Sequence, residues 1–179
     1  MTDGTLAGTV MLKDINPGAG SSNAYGFTSF NGKLYFVADD GTNGEELWVT
    51  DGTLAGTVML KDINPGAGSS NAYGFTSFNG KLYFVADDGT NGRELWVTDG
   101  TGAGTVMLKD INPGAGSSNV RFFKENAGSV YLSGTFSNLL FLADDGTRGL
   151  ELWMTDGTTA GTTIWSDFNS GIGDGVYLP

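Results

Sequence analysis

The feature that most constrains this chain is an internal repeat of 48 residues that is nearly perfect. Residues 2–49 and 50–97 are identical except at one position, where Glu45 is replaced by Arg93. A third copy stays in step over residues 98–119 and then diverges. Identical segments adopt the same local structure and bury the same faces, so a repeat of this length indicates an array of equivalent units.

Each repeat contains four short segments with the composition of β-strands. In the first full repeat these segments are residues 27–30, 33–38, 46–50 and 56–63. The dipeptide Asn31-Gly32 predicts a tight hairpin turn between the first two, because both residue types tolerate positive φ. Asp51-Gly52 predicts a second tight turn between the third and fourth. Since helical periodicity is missing throughout, the sequence predicts an all-β chain built from four-stranded antiparallel meanders.

Apolar side chains occupy both faces of the predicted strands. In the second strand, Leu34 and Phe36 point to one face while Tyr35 and Val37 point to the other. A sheet with one solvated face would instead alternate apolar with polar residues. Each sheet must therefore lie between neighbouring sheets. Four-stranded meanders of about 40 to 50 residues that stack face to face are typical of β-propeller blades, so we expect a β-propeller-like array.

The strand count gives about three blades plus an orphan N-terminal strand. The predicted divisions are residues 1–23 for the orphan outer strand and linker, then blades at 24–71, 72–119 and 120–179. Three blades are fewer than the about four to eight that normally close a ring. An uncovered strand and sheet face favour association with another chain, and we expect the orphan strand to make that contact. The predicted interface residues are Thr9, Val10, Met11, Leu12 and Ile15.

The third unit departs from the pattern and includes the C-terminal tail. Residues 120–132 predict an extra or lengthened hairpin, and the normal pattern returns at residue 139. Residues 171–179 are expected to cover an edge or to dock on a neighbour. Terminal repeats are often atypical because they cap a stack, so capping is the interpretation that we favour for this unit.

Charge and missing residue types exclude several classes of function. The chain has 20 acidic and 9 basic residues and a net charge of -11, so nucleic acids and anionic membranes would be repelled. No apolar run is long enough to predict membrane insertion. Cysteine and histidine are absent, which removes nucleophilic triads and thiolate metal sites. A copied loop gives every carboxylate the same environment, whereas acid–base catalysis needs unlike ones. We therefore expect that the protein is not an enzyme.

Several motifs together carry a family resemblance. They are ELWVTDGT at 46–53 with AGT at 55–57, DINPG at 62–66 and NGKLYF at 79–84, followed by DDG. These motifs resemble the ELWxxDGT repeat of bacterial extracellular proteins, and the resemblance covers nearly the whole chain except about residues 120–138. It implies a β-propeller-like array in a secreted or cell-surface protein, usually as part of a longer chain. The family has no established catalytic residues to transfer.

An acidic loop follows the second strand of each repeat and permits two interpretations. Aspartate, asparagine and glycine are ordinary turn residues, and this interpretation is the one that we favour. Oxygen-rich loops also bind calcium, although the acidic spacing of an EF-hand is missing here. If calcium binds, it is the one cofactor that we expect. The candidate ligands are Asp39, Asp40, Asn43, Asp87, Asp88, Asn91, Asp144 and Asp145.

The repeated aromatic residues also permit two interpretations. A tryptophan at a fixed strand position is typical of a core residue packed between blades, and we predict this role for Trp48, Trp96 and Trp153. Exposed aromatics would instead stack on surface glycans as a multivalent site, and the candidate set joins to these tryptophans the tyrosines Tyr25, Tyr35, Tyr73 and Tyr83. We expect a structural or adhesive protein whose partners are other copies of itself, in a closed ring or a fibre. The alternative is a multivalent carbohydrate- or calcium-binding module.

Overall fold

Twelve β-strands form the described part of this computed structural model, which covers residues 2–123 and 137–168. In chain order the strands are β1 (Tyr25–Phe30), β2 (Lys33–Asp39), β3 (Glu45–Thr50), β4 (Val58–Lys61), β5 (Tyr73–Phe78), β6 (Lys81–Asp87), β7 (Arg93–Thr98), β8 (Val106–Lys109), β9 (Arg121–Phe122), β10 (Leu139–Asp144), β11 (Leu150–Thr155) and β12 (Thr163–Ser166).

The strands make three antiparallel four-stranded sheets. Sheet 1 has the order β1-β2-β3-β4, sheet 2 the order β5-β6-β7-β8, and sheet 3 the order β9-β10-β11-β12. Neighbours in each sheet are also neighbours in the chain, so each sheet is a meander. No helix occurs over residues 2–123 and 137–168, which confirms the all-β prediction. In the same residues, nothing has the length and apolar character of a membrane-spanning helix.

The Asn-Gly turns have the predicted backbone. Asn31 and Gly32 have φ values of 48° and 74°, and the equivalent Asn79 and Gly80 have 46° and 71°. Positive φ at both central residues matches the right-handed twist of the flanking strands. The turn therefore fixes the register in which Phe30 faces Lys33 at the start of the β1–β2 ladder.

The predicted tight turn at Asp51-Gly52 is wrong. Strand β3 ends at Thr50 and β4 begins at Val58, so the connection is a seven-residue loop over 51–57. Gly52 has a φ of 88°, but Asp51 is not among the residues with positive φ. A two-residue turn of the Asn-Gly kind needs both, so the chain takes a wider path here.

The prediction of an orphan strand is also wrong for the described structure. Residues 9–15 form no strand, and none of the twelve described strands pairs with them. Thr9, Val10 and Met11 are exposed, while Leu12 and Ile15 are half-buried. The predicted contact residues therefore divide between outward-facing side chains and side chains turned toward sheet 1.

The sheets pack in chain order through two kinds of face. We call the face turned to the following sheet the leading face and the opposite one the trailing face. Val37 and Leu47 on the leading face of sheet 1 cluster with Phe84 and Trp96 on the trailing face of sheet 2. The equivalent residues of sheets 2 and 3 repeat this contact, namely Val85, Leu95, Phe141 and Trp153. Both faces of sheet 2 are therefore covered, as its two-sided apolar pattern requires.

Sheet 3 differs from the others in its first strand. Strand β9 has only two residues, Arg121–Phe122. The predicted extra hairpin over 120–132 lies mostly outside the described residues, and the predicted edge-covering tail over 171–179 lies wholly outside them.

Candidate functional site

The two ends of the sheet array expose apolar surface that is buried between sheets. Leu95 and Val97 on the leading face of sheet 2 have relative exposures of 0% and 4%. The equivalent Leu152 and Met154 of sheet 3 are only half-buried. At the other end, Phe27 is 57% exposed, whereas its sheet 2 equivalent is half-buried. The leading face of sheet 3 and the trailing face of sheet 1 are thus the candidate interface.

Part of the trailing face of sheet 1 is covered by the N-terminal segment. Ile15 packs against Phe36, Ala38 and Trp48. The Lys13 ammonium donates to the carbonyl oxygen of Thr57 at 2.7 Å and lies 5.8 Å from the centre of the Trp48 ring. Trp48, which was predicted as a core residue, therefore contacts Ile15, which was predicted as an interface residue.

A lysine of sheet 2 makes the same pair of contacts with sheet 3. Lys109 donates to the carbonyl oxygen of Thr162 at 2.7 Å and lies 5.8 Å from the Trp153 ring centre. In the repeat, Lys13 is equivalent to Lys109. Residues 9–15 therefore lie on sheet 1 in the way that the fourth strand of one sheet lies on the next.

The Asp-Gly-Thr loop of each repeat is closed by its own side chains. Asp51 Oδ1 accepts hydrogen bonds from Thr53 N and Thr53 Oγ1, at 2.9 and 2.7 Å. These two donors lower the pKa of Asp51. Thr53 Oγ1 in turn accepts from Gly56 N, and the buried hydroxyls of Thr50 and Thr57 are 2.7 Å apart. The spacing of the motif is thus set by one local hydrogen-bond network.

The N-terminal copy of this loop closes in the same way without flanking strands. Asp3 Oδ1 accepts from Thr5 N at 2.9 Å, and the hydroxyls of Thr2 and Thr9 are 2.8 Å apart. A Cβ on Gly8 would lie 2.0 Å from Asp3 Oδ1, the same distance that Gly56 shows to its own aspartate. The loop is therefore a self-contained element.

A buried glutamate ties each third strand to the turn that leads to the next sheet. Glu46 is 0% exposed. Its Oε2 accepts from Ile63 N at 2.8 Å, and its Oε1 accepts from Asn64 N at 3.2 Å and Ser70 N at 3.0 Å. Glu94 makes the equivalent bonds to residues 111 and 112, at 2.8 and 3.3 Å. One carboxyl group thus satisfies several buried amide groups at a sheet-to-sheet crossing.

Burial dominates the titration of these glutamates. Desolvation raises the pKa of Glu46 to about 6 and that of Glu94 to about 7, against the opposing effect of the amide donors. Their role is structural, because each donor comes from the chain itself. A proton acceptor that is fully enclosed in this way has no path to a substrate.

Sequence reasoning assigned no role to these glutamates, although a signal was present. Glu46, Glu94 and Glu151 occupy one position of the repeat, while the residue before them changes from Glu45 to Arg93 and then to a leucine. A charged residue that does not vary in an otherwise apolar strand indicates a buried polar contact.

The acidic loops use their side chains to form turns. Asp39 Oδ1 accepts from Gly41 N at 2.7 Å. Asp40 Oδ1 accepts from Thr42 N and Asn43 N, and its Oδ2 accepts from the Asn43 side chain. The equivalent loops at 87–91 and 144–148 repeat the aspartate contacts with backbone amides. No cluster of three acidic side chains with the geometry of a metal site occurs over residues 2–123 and 137–168. The calcium interpretation stays a prediction.

The tryptophans and tyrosines occupy different environments. Trp48, Trp96 and Trp153 are 5 to 6% exposed; Trp96 and Trp153 lie between successive sheets, whereas Trp48 lies on the trailing face of sheet 1 against Ile15. Tyr25 and Tyr73 are 37% and 41% exposed. Tyr25 Oη donates to the carboxylate of Glu45 at 3.1 Å, and burial together with that charge raises the pKa of Tyr25 to about 12. Tyr35 and Tyr83 are 1% and 0% exposed, so only Tyr25 and Tyr73 among these tryptophans and tyrosines would be accessible to a glycan.

No protein-family model matches the sequence, and neither a curated protein nor a solved structure is significantly similar to it.

Proposed function

We propose that this chain is a non-enzymatic structural or adhesive protein that self-associates through its terminal sheet faces. The sheets would be the blades of a β-propeller-like array. This arrangement is supported by contacts of β1 with β5 and of β5 with β9, because the first strands of successive propeller blades lie together near the axis. The ELWxxDGT resemblance adds an extracellular or cell-surface location to the proposal.

One observation carries the proposal of self-association. The contact between a leading and a trailing face is made twice within the chain, whereas no described sheet covers the leading face of sheet 3 and the trailing face of sheet 1 is covered in part by residues 9–15. The trailing face of sheet 1 carries Phe36, Ala38 and Trp48. The equivalent residues of sheet 2 pack against the leading face of sheet 1, namely Phe84, Ala86 and Trp96. A surface that accepts a leading face inside the chain is suited to accept one from a second copy.

The leading face of sheet 3 keeps the apolar character of its equivalents. Leu140, Leu152 and Met154 stand where sheet 2 has Tyr83, Leu95 and Val97, so a second copy would bury aliphatic groups of similar volume. Two copies would bring six blades together, within the about four to eight that close a ring. A closed pair is therefore the smallest assembly that leaves neither face exposed, and a head-to-tail fibre is the open form.

Sedimentation of the full chain tests the proposal. We expect association over a range from about 1 µM to about 500 µM, and stronger association at high salt because the net charge of -11 on each copy is then screened. Phe27→Ser removes an exposed aromatic from the trailing face of sheet 1 and should weaken the association at least about tenfold.

Val106→Thr is the matched control for this experiment. Val106 is 45% exposed on the fourth strand of sheet 2, and the fourth strand of sheet 3 carries Thr163 at the equivalent position. This variant should associate like the wild type. A chain that stays monomeric throughout the concentration range, or that associates equally well with Phe27→Ser, would refute the proposed function.

A further inference from the structure

The sequence contains four segments that are equivalent to a fourth strand, whereas the described structure has three sheets. Residues 9–15 are the counterpart of residues 57–63 and 105–111, which contain β4 and β8. In sheet 3 the same place is taken by β12, Thr163–Ser166. At a junction between sheet 3 of one copy and sheet 1 of another, two segments would compete for one position beside β11.

The N-terminal segment already has the inter-sheet contacts of a fourth strand. Lys13 and Ile15 hold it on the trailing face of sheet 1, with the lysine distances that Lys109 shows toward sheet 3. None of the twelve described strands pairs with this segment, and residues 9–15 are not a β-strand in the described structure. Its sequence is that of the segment paired with β3.

Strand β12 and the residues after it carry larger side chains than their equivalents at the positions where a following sheet would pack. Trp165 replaces Leu108, and Phe168 replaces Ile111. Leu108 and Ile111 are 5% and 3% exposed because sheet 3 covers them, whereas Trp165 and Phe168, which no described sheet follows, are 51% and 58% exposed. The larger rings do not fit the space that a leucine and an isoleucine fill at a close-packed junction. Sheet 3 also has no equivalent of Lys109, because Ser166 occupies that position.

We propose that residues 9–15 of one copy pair with β11 of a second copy and displace its β12. The register follows from sheet 1, where Leu47, Trp48 and Val49 face Lys61, Met59 and Val58. By repeat equivalence, Lys13, Met11 and Val10 face Leu152, Trp153 and Met154 of the second copy. Glu151, which accepts from Phe168 N at 2.8 Å, then accepts from Ile15 N.

This inference rests on the proposed function and gives it a mechanism. Backbone hydrogen bonds of an added strand provide affinity, and the alternating side chains provide register. In a closed pair each copy gives one strand and receives one, which makes the two junctions equivalent. The receiving strand has the sequence Glu-Leu-Trp-Met-Thr, and the partner segment is Thr-Val-Met-Leu-Lys-Asp-Ile.

Intermolecular disulfide formation tests the register directly, because the natural chain has no cysteine. Val10→Cys is made in one full-length chain and Met154→Cys in another, and the two are mixed under mild oxidation. Directly opposed residues on antiparallel strands have Cα atoms about 4.5 to 5.5 Å apart, which a disulfide spans. The matched control replaces Val10→Cys with Val58→Cys, because Val58 has the same neighbours in sequence but lies in β4, where it faces Val49 of β3.

We expect the Val10→Cys and Met154→Cys mixture to give a mixed disulfide dimer at a yield about tenfold or more above the control, read by intact mass. Equal yields from the two mixtures, in a sample that sedimentation shows to be associated, would overturn the strand exchange and leave the proposed function intact. If neither the wild type nor either mixture associates, the proposed function fails and the strand exchange fails with it.

Discussion

The buried glutamates lead to a sharp prediction about pH and stability. The folded-state pKa of Glu94 is about 7 and its ordinary value is 4.5, so the folded chain holds this proton more tightly than the unfolded chain does. The stabilising effect of protonation is fully present below pH 4.5 and is lost as pH rises through about 7. Between about pH 5 and about pH 8 this single group should change the free energy of unfolding by about 2.5 kcal/mol.

The perturbation is Glu94→Gln, which keeps the shape of the side chain and removes its titration. Urea unfolding at several pH values should show that the wild type loses stability from pH 5 to pH 8, and that the variant loses about 2.5 kcal/mol less. Glu46→Gln is the graded comparison. The pKa of Glu46 is about 6, so this variant should reduce the loss by only about 1 kcal/mol. A full wild-type loss in Glu94→Gln, or a larger effect from Glu46→Gln, would refute the assignment of burial as the cause.

Three further predictions concern local structure. Gly56→Ala places a Cβ 2.0 Å from Asp51 Oδ1 and should lower the free energy of unfolding, measured by chemical denaturation, by about 2 kcal/mol. Gly8→Ala makes the same clash in the N-terminal copy of the loop, which has no flanking strands, and should change that free energy by less than about 0.5 kcal/mol. Asn79→Val puts a β-branched residue at a φ of 46° and should cost about 1 to 2 kcal/mol, while Asn79→Gly at the same site should be nearly neutral by thermal melting. Lys109→Met removes the bond to the Thr162 carbonyl and the contact with the Trp153 ring, and should lower stability by about 1 to 2 kcal/mol in urea titrations; an unchanged midpoint would contradict it.

Much of the local structure could be predicted from the sequence because it depends on neighbouring residues. Asn31-Gly32 forms its turn since both residues accept positive φ. The apolar residues on both faces of β2 predict a sheet between two neighbours, which holds for sheet 2, while sheets 1 and 3 each have a described sheet on one face only. Both features depend on backbone preference and side-chain period, which a sequence displays directly.

The remaining features depend on contacts that the sequence does not display. The loop after Thr50 is wide because its hydroxyl pairs with that of Thr57, and a propensity rule does not include this bond. Residues 9–15 have a strand composition but form no strand, because a strand also depends on a neighbouring strand and none of the twelve described strands pairs with them. Glu46 was overlooked since a glutamate next to a strand end usually indicates solvent, whereas here several amides enclose it.

Near-identity of the first two repeats has a consequence for folding itself. Strand β2 can pair with β7 in nearly the same way as with β3, because the two differ only in Glu45 and Arg93. Distance along the chain separates the alternatives. The correct pairing closes a connection of five residues, over 40–44, and the wrong one a connection of 53 residues, over 40–92. Loop-closure entropy then favours the correct hairpin by about 2 kcal/mol. In this chain the short connection selects β3 over β7 as the partner of β2. Pairing between strands of two different copies has no short connection, so at high concentration this entropic preference would not apply to it.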